Sequence, residues 1–163
     1  MLETDKIKIE LTLTKNLPLI VKIEKENSDF IGQYNLERHK KVINDVNEYH
    51  LSIFDKSDNY LVGHIILAGF SDPNDSIEFR RIVISRKGNG FGRDAIKLTK
   101  SLCFQHHNKH RLWLDVLSEN ERAIKLYESE GFLKEGLLRD SVKQGNIFKS
   151  VWIMSILSKD FKF

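Results

Sequence analysis

Apolar and polar residues alternate from Ile7 to Thr14, with Ile7, Ile9, Leu11 and Leu13 set against Lys8, Glu10, Thr12 and Thr14. That is the period of a strand with one buried face. Asn16 stands where it can cap a helix beginning near Pro18, whose fixed φ suits a first helical turn. A second, weakly patterned helix is predicted over 30–46. Strands over 49–54 and 60–67 are joined by the polar turn at 55–59. Another strand, over 76–84, follows Gly69 and the Ser71-Asp72-Pro73-Asn74-Asp75 cluster. Consecutive strands with short turns predict an antiparallel meander.

Past Ile84 the period changes. Gly88, Gly90 and Gly92 lead into a helix over 91–107, with Phe91, Ala95, Leu98 and Leu102 at helix-face spacing. A short strand over 111–116 precedes a helix over 119–130 stopped by Gly131, and two strands, over 133–138 and 150–157, flank the turn at Gln144-Gly145-Asn146. The strand–helix–strand portion requires a right-handed crossover, which sets two strands parallel. The predicted fold is α/β of the α+β kind: a mixed, mostly antiparallel sheet of about seven strands with one parallel pair, flanked by about four helices. With no repeat, linker or low-complexity segment, residues 1–163 read as a single domain.

Composition narrows the class. The 163 residues are 40% hydrophobic and 30% charged, an ordinary globular balance. A net charge of +3, spread along the chain, tolerates an anionic ligand without pointing to nucleic acid, and the Lys and Arg residues lack the interleaved aromatics of a single-strand binding surface. No apolar run approaches the roughly 18 residues needed to cross a bilayer. The start, Met1-Leu2-Glu3-Thr4-Asp5-Lys6, lacks a secretory profile, and one cysteine, Cys103, fits a reducing compartment. The expectation is a cytoplasmic protein with no membrane partner.

The segment Lys87-Gly88-Asn89-Gly90-Phe91-Gly92-Arg93 joins a strand to a helix. Its glycines admit φ > 0 and close approach of a ligand, and the first N–H groups of the helix make an anion site to which Lys87 and Arg93 could add charge. A dinucleotide fingerprint needs a glycine where Arg93 stands, and a P-loop needs a Gly-Lys-Ser/Thr string that is absent. A flexible turn with no ligand is the bland alternative. Further on, Asn120, Ala123 and Tyr127 fall on one helix face, which can pass a slim chain toward a hydroxyl.

Arg81-Ile82-Val83-Ile84, the turn from Lys87 to Gly92, and Asn120-x-x-Ala123-x-x-Leu126-Tyr127-x-x-x-Gly131-Phe132 together resemble the consecutive motifs of GNAT acetyltransferases. Glu135-Gly136-Leu137-Leu138-Arg139 resembles the branch that holds ribosomal-protein N-terminal and spermidine acetyltransferases. Lys87 departs from the Gln or Arg usual at the start of the turn. The resemblance implies acetyl-CoA as co-substrate and no metal. It implies that the pantetheine arm pairs with the backbone of Ile82 and Ile84, and that the N–H groups from Gly88 through Asn89, Gly90, Phe91 and Gly92 to Arg93 hold the pyrophosphate. Asn120 would bond the arm, Ala123 would leave it room, and the N–H near Val83 would polarise the thioester carbonyl. Tyr127 would protonate the departing thiolate. An alkyl amine acceptor, with a pKa of about 10.4, must lose a proton at a cost of roughly 4 to 5 kcal/mol at neutral pH. Glu78, upstream on the same strand and of matching parity unless a bulge intervenes, is the candidate base, against a plain reading as a solvent-facing charge.

The expected reaction is acetyl transfer to a protein N-terminus, a polyamine or a small-molecule amine, by direct attack in a ternary complex. A non-catalytic acyl-CoA sensor on the same fold is the alternative, and a dinucleotide-dependent oxidoreductase a third. Glu135, Asp140, Asp72 and Asp75 could draw a cationic acceptor. The last strands of such folds often form interfaces, so by analogy a homodimer is expected. Cys103, in mid-helix, reads as packing rather than as a nucleophile. His106, His107 and His110 lack zinc-ligand spacing and suit a helix end. Trp113 and Trp152 read as core or interface residues.

Overall fold

The alternation at Ile7 and Ile9 does produce a strand, and it joins seven others in one sheet. In the computed structural model, which describes residues 2–27 and 32–162, the strands are β1 (Leu2–Glu3), β2 (Ile7–Leu11), β3 (Glu48–Asp55), β4 (Tyr60–Ala68), β5 (Ser76–Ile84), β6 (Arg111–Leu117), β7 (Leu133–Gln144) and β8 (Ile147–Leu157). Their order is β1-β2-β3-β4-β5-β6-β8-β7. All pairings are antiparallel except β5 with β6. The helices are α1 (Leu17–Glu26), α2 (Leu36–Ile43), α3 (Phe91–Ser101) and α4 (Glu121–Ser129). The predicted architecture, a mostly antiparallel sheet with one parallel pair and four helices, is the one found.

Several boundaries differ for local reasons. β1 is a two-residue strand, too short to carry a period, and it pairs Leu2 with Ile9. β2 ends at Leu11, and Leu11 and Leu13 are exposed while Thr12 turns inward to bond Ser52. Asn16 makes no side-chain cap, because a 3-10 turn over Thr14–Asn16 runs straight into α1 and holds Asn16 in helical backbone geometry. The second helix is narrower than 30–46: Asn35 caps it by accepting the Arg38 N–H, and positions 30 and 31 lie outside the described residues. The helix expected to reach residue 107 passes at Leu102–His106 into a π turn. β7 and β8 outrun their predicted lengths because much of the hairpin lies in solvent, where no apolar alternation marks it.

The main core lies on the α3 and α4 side of the sheet, where Ile65, Ile77, Leu112, Leu114 and Met154 are essentially sealed from solvent. A smaller apolar cluster under α1 joins Leu17, Ile20 and Ile23 to Leu61 and Val83. Beside it lies a buried polar group: Glu24 of α1, His39 of α2, His50 of β3, His64 of β4 and Arg81 of β5. The Glu24 carboxylate accepts from the Arg81 guanidinium and from His39 Nε2 at 3.0 Å. Burial, with nearby positive groups adding, holds His50 down to about 3 and His64 well below the usual imidazole value, so both rings stand neutral.

Candidate active site

Parallel pairing between β5 and β6 is brief: Ser76, Ile77 and Glu78 face Arg111, Leu112 and Trp113, and the pairing ends there. Beyond that point the strands splay. The end of β5 therefore presents a backbone edge that no strand covers on the β6 side. The other β5 edge stays bound to β4, with Gly63 opposite Ile84 and Ile65 opposite Ile82.

The register of that second edge decides where Glu78 points. Leu67 stands opposite Phe79 and Ile66 opposite Arg81, which leaves Arg80 as an extra residue, a bulge. Before it, Ile77 and Phe79 face the main core; after it, Ile82 and Ile84 do, while Arg81 and Val83 face α1. Glu78 is thus on the face opposite Ile82 and Ile84, and the parity expected from the sequence is reversed. Its carboxylate is held by Arg80, whose guanidinium also binds Glu48.

At the end of β5, Gly88 and Gly90 adopt φ of 88° and 82°, left-handed values at which a side chain would be strained. Gly90 occupies the N-cap of α3, and the first N–H bonded back is that of Asp94, to the Gly90 carbonyl. The amides of Phe91, Gly92 and Arg93 therefore project past the helix end. A Cβ on Gly92 would lie 3.5 Å from Leu126, so that glycine also lets α3 and α4 approach. These amides border a cleft of ≈ 680 Å³, whose walls include the Ile82–Ile84 segment, Lys87, Gly88 and Gly90 on one side and Asn120, Ala123 and Tyr127 on the other. Asn89 is the one turn residue that does not line it; its carbonyl accepts from Lys6 Nζ at 3.3 Å. The Arg93 guanidinium is engaged by Glu130, which also takes Lys100, so Arg93 offers the cleft its backbone rather than its charge.

Asn120 has a structural duty: its side chain caps α4 by accepting the Ala123 N–H at 3.2 Å. At the far end of α4, Gly131 (φ 93°) bonds the Glu128 carbonyl and Phe132 bonds that of Tyr127, the paired bonds of a Schellman stop. The Phe132 ring packs on Tyr127 at 5.6 Å between centroids, and Phe79 meets it at 6.3 Å. Tyr127 is thereby fixed. Burial pushes its phenol above the ordinary value and the Asp115 charge adds to this, so the hydroxyl stays protonated through the neutral range.

A second cavity, ≈ 250 Å³, opens on the other side of the splay and shares Ile82, Asn120, Ala123 and Tyr127 with the first. Its remaining walls bring Arg80 and Arg81 from β5, Asp115 from β6 and Gln144 from β7. Desolvation raises the Asp115 carboxyl, and the Glu78 charge raises it further. In the sequence Asp115 is only a lone carboxylate in an apolar run; its place two residues past the last paired position of β6, where the strands part, shows only in the sheet. Glu135, Asp140, Asp72 and Asp75 line neither of these two cavities; Glu135 is bound by Arg111 and Ser155, and Asp75 by Lys109.

Cys103 is sealed in the main core, and desolvation pushes its thiol up to about 12. A thiol reagent such as DTNB is expected to modify the folded protein negligibly and to label one thiol per chain once urea unfolds it; rapid labelling of the native state contradicts this. His107 packs against Tyr49 and Phe70, and burial lowers its pKa, with Lys109 adding, so it is a packing ring more than a helix-end cation. Trp152 packs against the main core with Lys134 over its ring.

A glycine turn thus opens a helix beside one of two cavities that share Ile82, Asn120, Ala123 and Tyr127. The chain belongs to the Acetyltransferase (GNAT) family, whose sequence profile matches residues 20–132. It is similar to the probable N-acetyltransferase YjcK of Bacillus subtilis, 27% identical over 156 residues that cover 85% of this chain and 86% of that protein. The spermidine N(1)-acetyltransferase of Vibrio cholerae is 31% identical over 126 residues, 77% of this chain and 72% of that one. Among solved structures, the Vibrio cholerae spermidine N-acetyltransferase in complex with CoA and spermine shares the fold, with a TM-score of 0.84 at 24% identity, covering 96% of this chain and 98% of that chain. Acetyltransferases of this family use acetyl-CoA, and this chain is an acyltransferase among them. Among the described residues no helix is long and apolar enough to cross a membrane.

Proposed function

We propose that the chain transfers an acetyl group from acetyl-CoA to a primary amine by direct attack within a ternary complex. The observation that carries this reading is that the two cavities on either side of the β5–β6 splay share the Tyr127 wall. The amides of Phe91, Gly92 and Arg93 suit a pyrophosphate, because they open the first turn of α3 toward the cleft, with Gly88 and Gly90 beside them. The open backbone edge of Ile82–Ile84 suits an extended arm that pairs with it as a strand would. Asn120, through the amide nitrogen its cap does not use, and the small Ala123 complete that channel.

Bound acetyl-CoA supplies the acyl group and the thiolate leaving group; the remaining work falls to the protein. Asp115 receives the ammonium of the acceptor and takes its proton, directly or through a water. Glu78 acts behind it, through charge. The N–H near Val83 steadies the carbonyl oxygen as charge builds there. As the carbon–sulfur bond breaks, Tyr127 donates a hydrogen bond to the sulfur, and the second N–H proton, lost by the acceptor nitrogen as the amide forms, neutralises the thiolate. The acceptor classes run from polyamines, the substrate named for the Vibrio relative, to protein N-termini and small-molecule amines. Asp115 fits the ammonium common to all three. The reading includes a homodimer through the β7–β8 hairpin, where Leu137, Leu138, Ile147 and Phe148 are exposed; a monomer in sedimentation equilibrium would remove that part.

The test is thiol release from acetyl-CoA against polyamines, N-terminal peptides and aminoglycosides. Tight CoA binding with no release for any acceptor would favour a sensor. Asp115→Asn is expected to lower kcat/KM about 100-fold. Because the Asp115 pKa is raised, its ionised form disappears at a higher pH than an ordinary aspartate's. Activity should accordingly fail earlier on acidification, and this acid limb of the pH–rate profile should be absent in Asp115→Asn. An unchanged limb rules out Asp115 as the base.

A further inference from the structure

We propose that His39, His50 and His64 form a closed binding site for a divalent transition-metal ion, with Zn²⁺ the ion best suited to the ligands. One ring nitrogen from each lies within 4.8 Å of the other two, and all three rings are buried. They come from α2, β3 and β4, so no sequence spacing announces them.

The groups around the rings support ligation. His39 Nε2 lies 3.0 Å from Glu24 Oε2, and an ionised carboxylate can only accept, so this nitrogen carries the hydrogen. The lone pair of His39 is then on Nδ1, which faces His50 Nε2 at 2.9 Å. On the other side of that ring, His50 Nδ1 lies 2.9 Å from the Thr12 hydroxyl, which is 2.8 Å from the Ser52 hydroxyl. Both hydroxyls can reverse. With no metal, protons run from Thr12 to His50 to His39 to Glu24. If Thr12 accepts from His50 Nδ1 and donates to Ser52, His50 Nε2 loses its hydrogen, and two lone pairs face the same point. Each ring then gives its far N–H to an oxygen, the outer support that metal-bound histidines ordinarily have.

His64 supplies the independent sign of a missing partner. It is fully buried, yet neither ring nitrogen has a hydrogen-bond partner among the described residues. A buried polar group left so is costly, and a metal ion at the meeting point of the other two lone pairs would satisfy it. The Glu24 carboxylate, taken by His39 Nε2 and Arg81, stands behind the ligands, and a water would fill the fourth position. Three imidazoles suit Zn²⁺ better than Mg²⁺ or Ca²⁺, which take oxygen ligands. A tetrahedral centre with bonds of about 2.0–2.1 Å requires ligand nitrogens about 3.4 Å apart. The His39–His50 pair, at 2.9 Å, would open by about 0.5 Å, and His64 would draw in by at most about 1.4 Å from the 4.8 Å limit. Arg81, bound to Glu24 and lying 3.8 Å from the Tyr34 ring centroid, is a like charge that weakens the site without blocking it. With α1 and α2 covering it, the ion would pin α2 to the sheet and would exchange slowly.

The full chain, stripped with chelator, is refolded from urea with Zn²⁺, and its metal content and melting temperature are read after desalting; a parallel sample takes Co²⁺ for its visible spectrum. One equivalent per chain, a higher melting temperature and the absorption bands of a four-coordinate Co²⁺ site are expected. His64→Leu should fold at least as stably without metal, since it removes unpartnered nitrogens, and should lose the stoichiometric ion. A variant with His106, His107 and His110 all changed to Gln should keep it. Metal content near zero in the wild type overturns the proposal, as does equal binding by the His64→Leu protein.

Discussion

Tyr127→Phe lowers turnover about 100- to 1,000-fold while leaving the affinity for CoA within about a factor of two. The ring is held by Phe79 and Phe132 and by the Schellman stop of α4, and phenylalanine keeps all of these contacts. Only the hydroxyl at the meeting of the two cavities is lost. A phenol raised above its usual value is a weak acid, weaker than a thiol of pKa about 8.5. On the proposed mechanism its contribution is a hydrogen bond to the developing thiolate, with the acceptor's own proton balancing the charge. That account has a particular kinetic mark. Acetyl donors whose leaving thiol has a lower pKa need less help, so the deficit of the variant should shrink with them. Equal deficits across a series of donors would mean that the hydroxyl acts elsewhere.

Glu24→Gln costs about 3–5 kcal/mol of stability, because it leaves Arg81 buried without its counter-charge. For a chain of this size, where each kcal/mol moves the melting temperature by about 2–4 °C, the expected fall is roughly 6–20 °C. Glu24→Gln combined with Arg81→Met should recover most of the loss, since a pair removed together leaves no orphan charge. Thermal unfolding of the two variants beside the wild type is the measurement. A single variant that melts within about 2 °C of the wild type shows that the guanidinium has found another partner or water.

How much of this was legible in the sequence depended on whether a feature is local. The meander, the glycine turn and α4 were legible because each is written in consecutive residues: alternation at Ile7 and Ile9, φ-permissive glycines at 88 and 90, the shared face of Asn120, Ala123 and Tyr127, and a Gly131 stop. The register of β5 against β4 was not, because an extra residue in one strand is visible only beside its partner. That is why Glu78 seemed to share a face with Ile82 and Ile84 and why Asp115 went unnoticed. The histidine cluster was hidden for the same reason: residues 39, 50 and 64 belong to three elements, and only the sheet brings them together. Leu11 and Leu13 misled in the opposite direction, since alternation records a strand's period but not the point where the chain leaves the sheet.

The extra residue at position 80 has a consequence for how the chain can change. The Arg80 guanidinium is the partner of both Glu48 and Glu78, so exchange of the side chain would strand two carboxylates, one of them nearly buried. Deletion of residue 80 would close the bulge: Phe79 would then precede Arg81 in plain alternation, with Ile77 and Phe79 still facing the main core and Glu78 still on the α1 face. A residue lost elsewhere in the strand, with the bulge kept, is what would turn Ile77 and Phe79 away from the core.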